Sequence, residues 1–310
     1  MSDIAMDHKA LLASLDDEER ARLTAKSDGI GLTHLLTHVI ALLITGTWIH
    51  TSLFLWQFAL LLHGIQIVFL FTLLHETVHD TPFKSLTLNK VVGWVCGFLI
   101  FLPPLWFRYF HLAHHRHTHD PEKDPELQGK TAETVGQYLW VVSGIPVWIF
   151  HLKTLLINAS GKADDPFLPS STLKRVRNEA QIMLLIYAAI LGLSIYYASA
   201  TLLWLWIVPI ILGQPFLRLY LMAEHGRCPH VANMLENTRT TFTNSVVRWL
   251  AWNMPYHAEH HAYPSVPFHK LPEFHKVAKE HLRITENGYT AFHSVHFKEL
   301  TKGGVNEQKL

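Results

Sequence analysis

Histidine is used out of proportion in this chain: 23 of 310 residues, against 26 lysines and arginines together. Much of it falls in three short runs. The first is His75-Glu-Thr-Val-His79. The second is His111-Leu-Ala-His114-His115, continued by Arg116-His117-Thr118-His119-Asp120, and the third is His257-Ala-Glu-His260-His261. On a helix, residues four apart share a face one turn apart, and offsets of three and four line three imidazoles along one stripe. That arrangement lets several side chains converge on one or two metal ions. Neutral imidazole suits zinc, copper, iron and nickel. The two cysteines, Cys96 and Cys228, are too few for a four-cysteine zinc site, an iron–sulfur cluster or a disulfide framework. Eight clustered histidines exceed the four ligands of a tetrahedral zinc, which favours two ions sharing the set. An open site of that kind suits iron and oxygen chemistry, with zinc left open.

A single pair at the same spacing carries much less. His34 and His38 repeat the i, i+4 offset with no carboxylate or third histidine beside them, and a structural or interfacial role is expected there. His117 and His119 continue the second run but break its spacing, so they are expected outside the ligand set. Glu76, Asp80, Asp120, Asp124, Glu224, Asn253 and Glu259 lie beside the runs. There they either accept an imidazole N–H, fixing tautomer and ring orientation, or serve as solvated groups and helix caps. Arg116, Arg227 and Lys270 are read as surface charges, with an anionic headgroup or an electron donor as the other contact they could make.

The elements that must hold these runs are membrane helices. The composition is 49% hydrophobic and 16% charged, where a soluble domain carries about 25% charged residues. An ordinary soluble enzyme and a disordered chain are both excluded on that balance. A net charge of +1 leaves no basic surface for nucleic acid. Between Lys26 and Lys84 stand 57 residues without lysine or arginine. Within them 33–49 and 53–74 are almost wholly apolar, and at 17 and 22 residues they bracket the ~20 residues of a span. They predict one helical hairpin joined at His50-Thr51-Ser52. The 40 basic-free residues from Asn178 to Leu217 predict a second, joined near 199–201.

All 26 basic residues lie in 1–26, 84–177 and 218–310. Basic residues accumulate in cytoplasmic loops, so both termini, the central segment and the histidine runs are expected on the cytoplasmic side. Two further apolar segments, 91–107 and 135–156, contain Pro103-Pro104 and Gly144 with Pro146, and are expected to re-enter or lie on the membrane rather than cross it. Residues 1–30 mix acids and bases without an apolar core and read as a cytoplasmic lead-in, not a signal peptide. The expected fold is all-α and integral to the membrane: one domain, with transmembrane hairpins at 31–74 and 178–222 and a cytoplasmic helical cap from 75–177 and 223–310. A metal transporter or sensor is the rival from another class. It would hold its ligands near the bilayer midplane, where only His34, His38, His50 and His63 stand in the first hairpin and none in 178–217.

HETVH, HLAHH and HAEHH, set around two apolar hairpins, resemble the three histidine boxes of the membrane fatty acid desaturase superfamily, which also includes hydroxylases and carotenoid ketolases. The likeness covers about residues 33–275. It implies a non-haem di-iron centre with two Fe, O2 as co-substrate, and as ligands His75, His79, His111, His114, His115, His257, His260 and His261. His225, 32 residues before His257, fits the place of a ninth ligand at the end of the last span. The implied reaction introduces a double bond into a fatty-acyl or lipid chain. The same irons would alternatively support hydroxylation, ketolation or oxidative demethylation of a smaller amine, amino-acid-like or isoprenoid substrate.

With no haem-binding His-Pro-Gly-Gly run and no cysteine cluster in the sequence, electrons are expected from a separate ferredoxin or cytochrome b5 type donor with its reductase. Three residues separate the first-box histidines, where animal acyl-CoA desaturases have four. The third box begins with His rather than the Gln of front-end desaturases. The run His115 to Leu127, HRHTHDPEKDPEL, is similar to bacterial members near the dihydrorhizobitoxine desaturase branch, which places the chain in the cytoplasmic membrane if it is bacterial.

Overall fold

The structure is a computed structural model describing residues 6–128 and 132–302. Two short helices open it, α1 (His8–Ser14) and α2 (Asp17–Leu23). Asp16 caps α2 by accepting from the Glu19 N–H while the Glu19 carboxylate accepts from the Asp16 N–H, so two orphan donors of the helix start are satisfied. The long α3 (Asp28–His50) follows, capped by Ser27. It reverses into α4 (Trp56–Val68), and α5 (Leu70–Val78) continues α4 with only Phe69 between them. The second hairpin is α10 (Leu173–Tyr196) and a π-helical turn, Leu203–Ile207, leading into α11 (Val208–His225). Between the hairpins lie α6 (Leu86–Leu99), α7 (Pro104–His117), α8 (Val135–Val142) and α9 (Ile145–Ser160). After the second come α12 (Ser245–Leu250), α13 (His257–Ala262), α14 (Leu271–Ala278) and α15 (Tyr289–Thr301). A two-stranded parallel ladder, β1 (Thr240–Thr241) with β2 (Thr285–Glu286), pairs Thr240 with Thr285.

Among the described residues four single segments are long and apolar enough to cross a membrane: Asp17–His50, Trp56–Val78, Ser170–Tyr196 and Leu203–His225. Those four agree with the two hairpins expected from the basic-free stretches. The rod Trp56–Val78 runs further than the apolar run alone indicates, so His75 sits inside its last turns rather than after it. α3 and α10 leave Leu36, Leu43, Leu185 and Ile195 exposed, as helices facing hydrocarbon do. α4 and α11 instead touch backbone to backbone. A Cβ on Gly64 would lie 1.8 Å from the Pro209 carbonyl oxygen, and one on Gly213 2.3 Å from the Gly64 carbonyl carbon. Small residues permit this approach, which is how membrane helices gain contact without a hydrophobic driving force.

The two hairpin joins lie at the same end. Trp56 and Trp204 meet edge to face there, with ring centroids 5.8 Å apart. His75, His79 and His225 mark the opposite ends of their rods. The two bent pairs turn by 101° between α6 and α7 and by 55° between α8 and α9. Pro104 starts α7 at a position where its missing N–H costs nothing, while Gly144 takes φ +75 between α8 and α9. At the histidine end, Leu11, Leu15 and Leu23 of the lead-in are buried in one cluster with Leu235, Leu271 and Phe274, and that cluster continues into Ile67, Val68 and Leu217 of the stem. Lead-in and C-terminal segment thus form one cap over the same end.

Candidate metal centre

Four elements deliver nine imidazoles to this end. α5 and the residue after it carry His75 and His79; α7 carries His111, His114 and His115; α11 ends on His225; α13 carries His257, His260 and His261. The expected single stripe of three on α7 and on α13 is corrected here. Each residue turns a helix by about 100°, so the i+3 and i+4 members of a run diverge and face different partners. One group contains His75, His79, His111, His115 and His260, and another contains His114, His225 and His261; within each, one ring nitrogen per residue lies within 4.8 Å of all the others. His257 adjoins the second group, its Nε2 3.1 Å from the Nε2 of His225. The i, i+4 pair of α7 therefore enters the first group and its odd member the second, while α13 does the reverse.

Across elements, His79 and His111 bring their Nε2 atoms to 3.1 Å, and His114 and His225 to 3.2 Å. Two imidazole nitrogens sharing one ion at about 2.1 Å each stand roughly 3–3.4 Å apart. The buried ring nitrogens also lack other partners among the described residues: both on His75, His115 and His260, and Nε2 on His261, make no hydrogen bond. Orphaned buried polar atoms are costly unless something satisfies them. The donor set fits metal ions.

Electrostatics keep most of these rings in the ligating form. Burial, with neighbouring imidazoles adding to it in most cases, pushes His111, His115, His257, His260 and His261 well below the ordinary histidine value, and His79 down to about 3. His114 differs. Burial works against its charge too, but Glu126 and Asp124 outweigh it and raise the imidazole above its usual range.

Some of the neighbouring polar residues orient rings and some do not. Asp124 lies 2.9 Å from His114 Nδ1, Glu224 3.5 Å from His257 Nδ1, and Glu76 3.6 Å from His260 Nδ1. Glu76 is itself held by the Thr81 hydroxyl and the Phe268 N–H. Thr118, which the sequence reading passed over, stands with its hydroxyl 3.3 Å from His261 Nδ1 while bonding the His114 carbonyl. Its signal was its place four residues after His114. The remaining candidates serve elsewhere: Asp80 pairs with Arg108, Asn253 donates to the Phe268 carbonyl, Asp120 accepts from the Glu122 N–H, and Glu259 accepts from Thr240 and contacts His275. Arg227 and Lys270 pair with Glu299 and Glu273, and Arg116 is exposed. His119 is buried 5.4 Å ring to ring from His225, and His117 belongs to neither group. The His34 and His38 pair bonds the Trp249 and Gln66 carbonyls, as a structural pair should.

A cavity of about 600 Å³ opens beside the rings. His75, His111, His114, His225 and His257 line one side, and Phe71, Trp106, Phe107, Phe110 and Phe150 supply aromatic walls. Apolar walls with a few convergent polar groups describe a site that takes an apolar molecule in a fixed pose.

Fold and site together define a helical membrane protein with buried imidazole clusters suited to metal. Residues 30–293 match the family model for fatty acid desaturase, and the chain belongs to that family. Among characterised relatives, the sphingolipid delta(4)-desaturase of Drosophila melanogaster is 26% identical over 66% of this chain and 60% of its own length. The dihydrorhizobitoxine desaturase of Bradyrhizobium elkanii is 29% identical over 77% of this chain and 70% of its own. A probable fatty acid desaturase of Sorghum bicolor is 24% identical over 82% and 71%. The aligned part of this chain thus spans 60% to 71% of these relatives' lengths. The resemblance carried by the histidine boxes is borne out, and a bacterial desaturase stands among the relatives.

Proposed function

We propose that this chain is an oxygen-dependent di-iron desaturase of a lipid or other amphiphilic chain, driven by electrons from a separate ferredoxin or cytochrome b5 type donor. The supporting observation is the meeting of nine imidazoles from four elements, in two groups, on the wall of an apolar cavity at one end of a membrane stem. In this reading His75, His79, His111, His115 and His260 hold one iron, and His114, His225, His257 and His261 the other. An iron pair held by these residues would supply the redox chemistry with oxygen that breaking an unactivated C–H bond requires. The donor and the cap are assigned to the cytoplasmic side, where the basic residues fall.

The chain's own residues do the rest. Asp124 accepts from His114 Nδ1–H and Thr118 from His261 Nδ1–H, which fixes these rings with Nε2 turned inward as the ligating atom. Glu76 and Glu224 stand beyond the rings of His260 and His257 and bias their tautomers the same way. Phe71, Phe107 and Trp106 keep water from the reacting carbon and limit how an apolar chain can lie against the rings.

Purified full-length protein should contain about two iron ions, since nine imidazoles exceed one four-ligand shell. Mass spectrometry of products made with reductant, donor and oxygen should show loss of two hydrogens. Gain of one oxygen atom instead would assign the same site to hydroxylation, and absence of iron together with absence of oxygen consumption would refute the proposal.

A further inference from the structure

Arg218 is the only lysine or arginine of α11, and it stands seven residues before His225. Two helical turns put both side chains on one face, about 10 Å apart along the axis. Both line the aromatic-walled cavity. A cation on a membrane helix is retained where it meets a partner or a ligand. Glu126 and Glu224 line the same cavity. Each of them lies against an imidazole: Glu126 Oε2 is 3.7 Å from His114 Nε2 and Glu224 Oε1 is 3.5 Å from His257 Nδ1. Nε of Arg218 is buried with no hydrogen-bond partner among the described residues. An unpartnered N–H of a guanidinium is thus left on the cavity wall, and carboxylate is the group whose two oxygens match the planar fork it belongs to.

We propose that Arg218 binds the carboxylate of the substrate. The substrate class is then an amphiphile whose acid head enters the cavity and whose apolar part runs along Phe71, Phe107 and Phe110 past the imidazoles. The distance from Arg218 to the rings selects which carbon reacts. The assignment rests on the desaturase reading of the site and narrows its substrate.

Binding tests it without turnover. Metal-loaded full-length protein in detergent is titrated with a fluorescent conjugated polyene fatty acid and with the methyl ester of the same acid. A charge-assisted two-point contact should make the acid bind about tenfold tighter or more. Arg218→Gln should erase that preference with ester affinity and iron content unchanged, and Arg218→Lys, which keeps charge but not the fork, should retain part of it. Equal binding of acid and ester by the unaltered protein overturns the proposal, as does an acid preference that survives in Arg218→Gln. Loss of ester binding in both variants would make Arg218 a counter-ion to two glutamates and also overturn it. Missing iron or missing product, with acid selectivity intact and Arg218-dependent, would count against the desaturase reading alone.

Discussion

Asp124 Oδ1 lies 2.9 Å from His114 Nδ1, with both side chains buried. The same carboxylate accepts the N–H groups of His119 and Glu126. It therefore ties the second histidine box to the turn that follows, and leaves His114 Nε2 pointing at His225. Asp124→Asn keeps the size but removes the charged acceptor and sets an amide N–H against a backbone donor. Loss of such an orienting partner costs about 10- to 100-fold in metal affinity or activity. Iron content and turnover of the purified variant should fall together, with its helix content by circular dichroism unchanged; a variant with full iron and full rate would show that Asp124 orients nothing.

Ligand histidines and structural ones should separate cleanly under the same substitution. His260 is fully buried with both nitrogens unpartnered, whereas His38, equally buried, bonds the Gln66 carbonyl at 2.9 Å. His260→Ala should abolish product and lower bound iron while the protein still inserts into the membrane. His38→Ala should keep its iron and lose stability by about 1–3 kcal/mol, the penalty of an unpaired buried group. Iron analysis beside thermal unfolding distinguishes them, and depleted iron in His38→Ala would contradict this assignment.

What the sequence made legible is what depends on local physics. Basic-free runs marked both hairpins because charge is excluded from hydrocarbon, and Pro103-Pro104 marked the bend before α7 because proline cannot continue a helix. The division of His114 from His111 and His115 was not legible, since it depends on α11 lying on one side of α7 and α5 on the other. Glu259 was left open as an imidazole acceptor or a cap; at about 200° round from His257 it faces away from that ring and meets Thr240. Arg218 was counted as the first charge beyond a span; its place on a cavity wall arises because α7 and α9 line the same cavity from elsewhere in the chain, which no linear pattern encodes.

The contact between α4 and α11 predicts a contrast between two glycines. A methyl group at Gly64 would meet the Pro209 backbone at 1.8 Å, which cannot yield as a flexible side chain would, while one at Gly192 on α10 meets nothing within 4 Å. Gly64→Ala should destabilise by about 1–3 kcal/mol or more, as overpacking does. Gly192→Ala should be neutral or stabilising by about 0.4–1 kcal/mol through the unfolded chain. Thermal midpoints in one detergent decide this. His75 and His225 end the two rods that Gly64 and Gly213 hold together, so Gly64→Ala should also bind less iron.

Acid should weaken the metal-stripped protein earlier than it weakens most folds. Burial places His79 at about 3 and His111, His115, His260 and His261 well below the ordinary 6.5. Between those values the unfolded chain takes up protons that the folded chain refuses, so stability rises with pH across the window. It is fully present above about 6.5 and is lost progressively as pH falls toward the folded values. Several rings titrate together, which makes the slope steep. Thermal midpoints of chelator-treated protein should drop continuously from about pH 7 to pH 5, and His79→Gln with His111→Gln should flatten that decline by removing two of the groups involved. A midpoint that held constant or rose over this range would mean the rings are not buried as neutral bases, and the two imidazole groups could not then be ready-made metal sites.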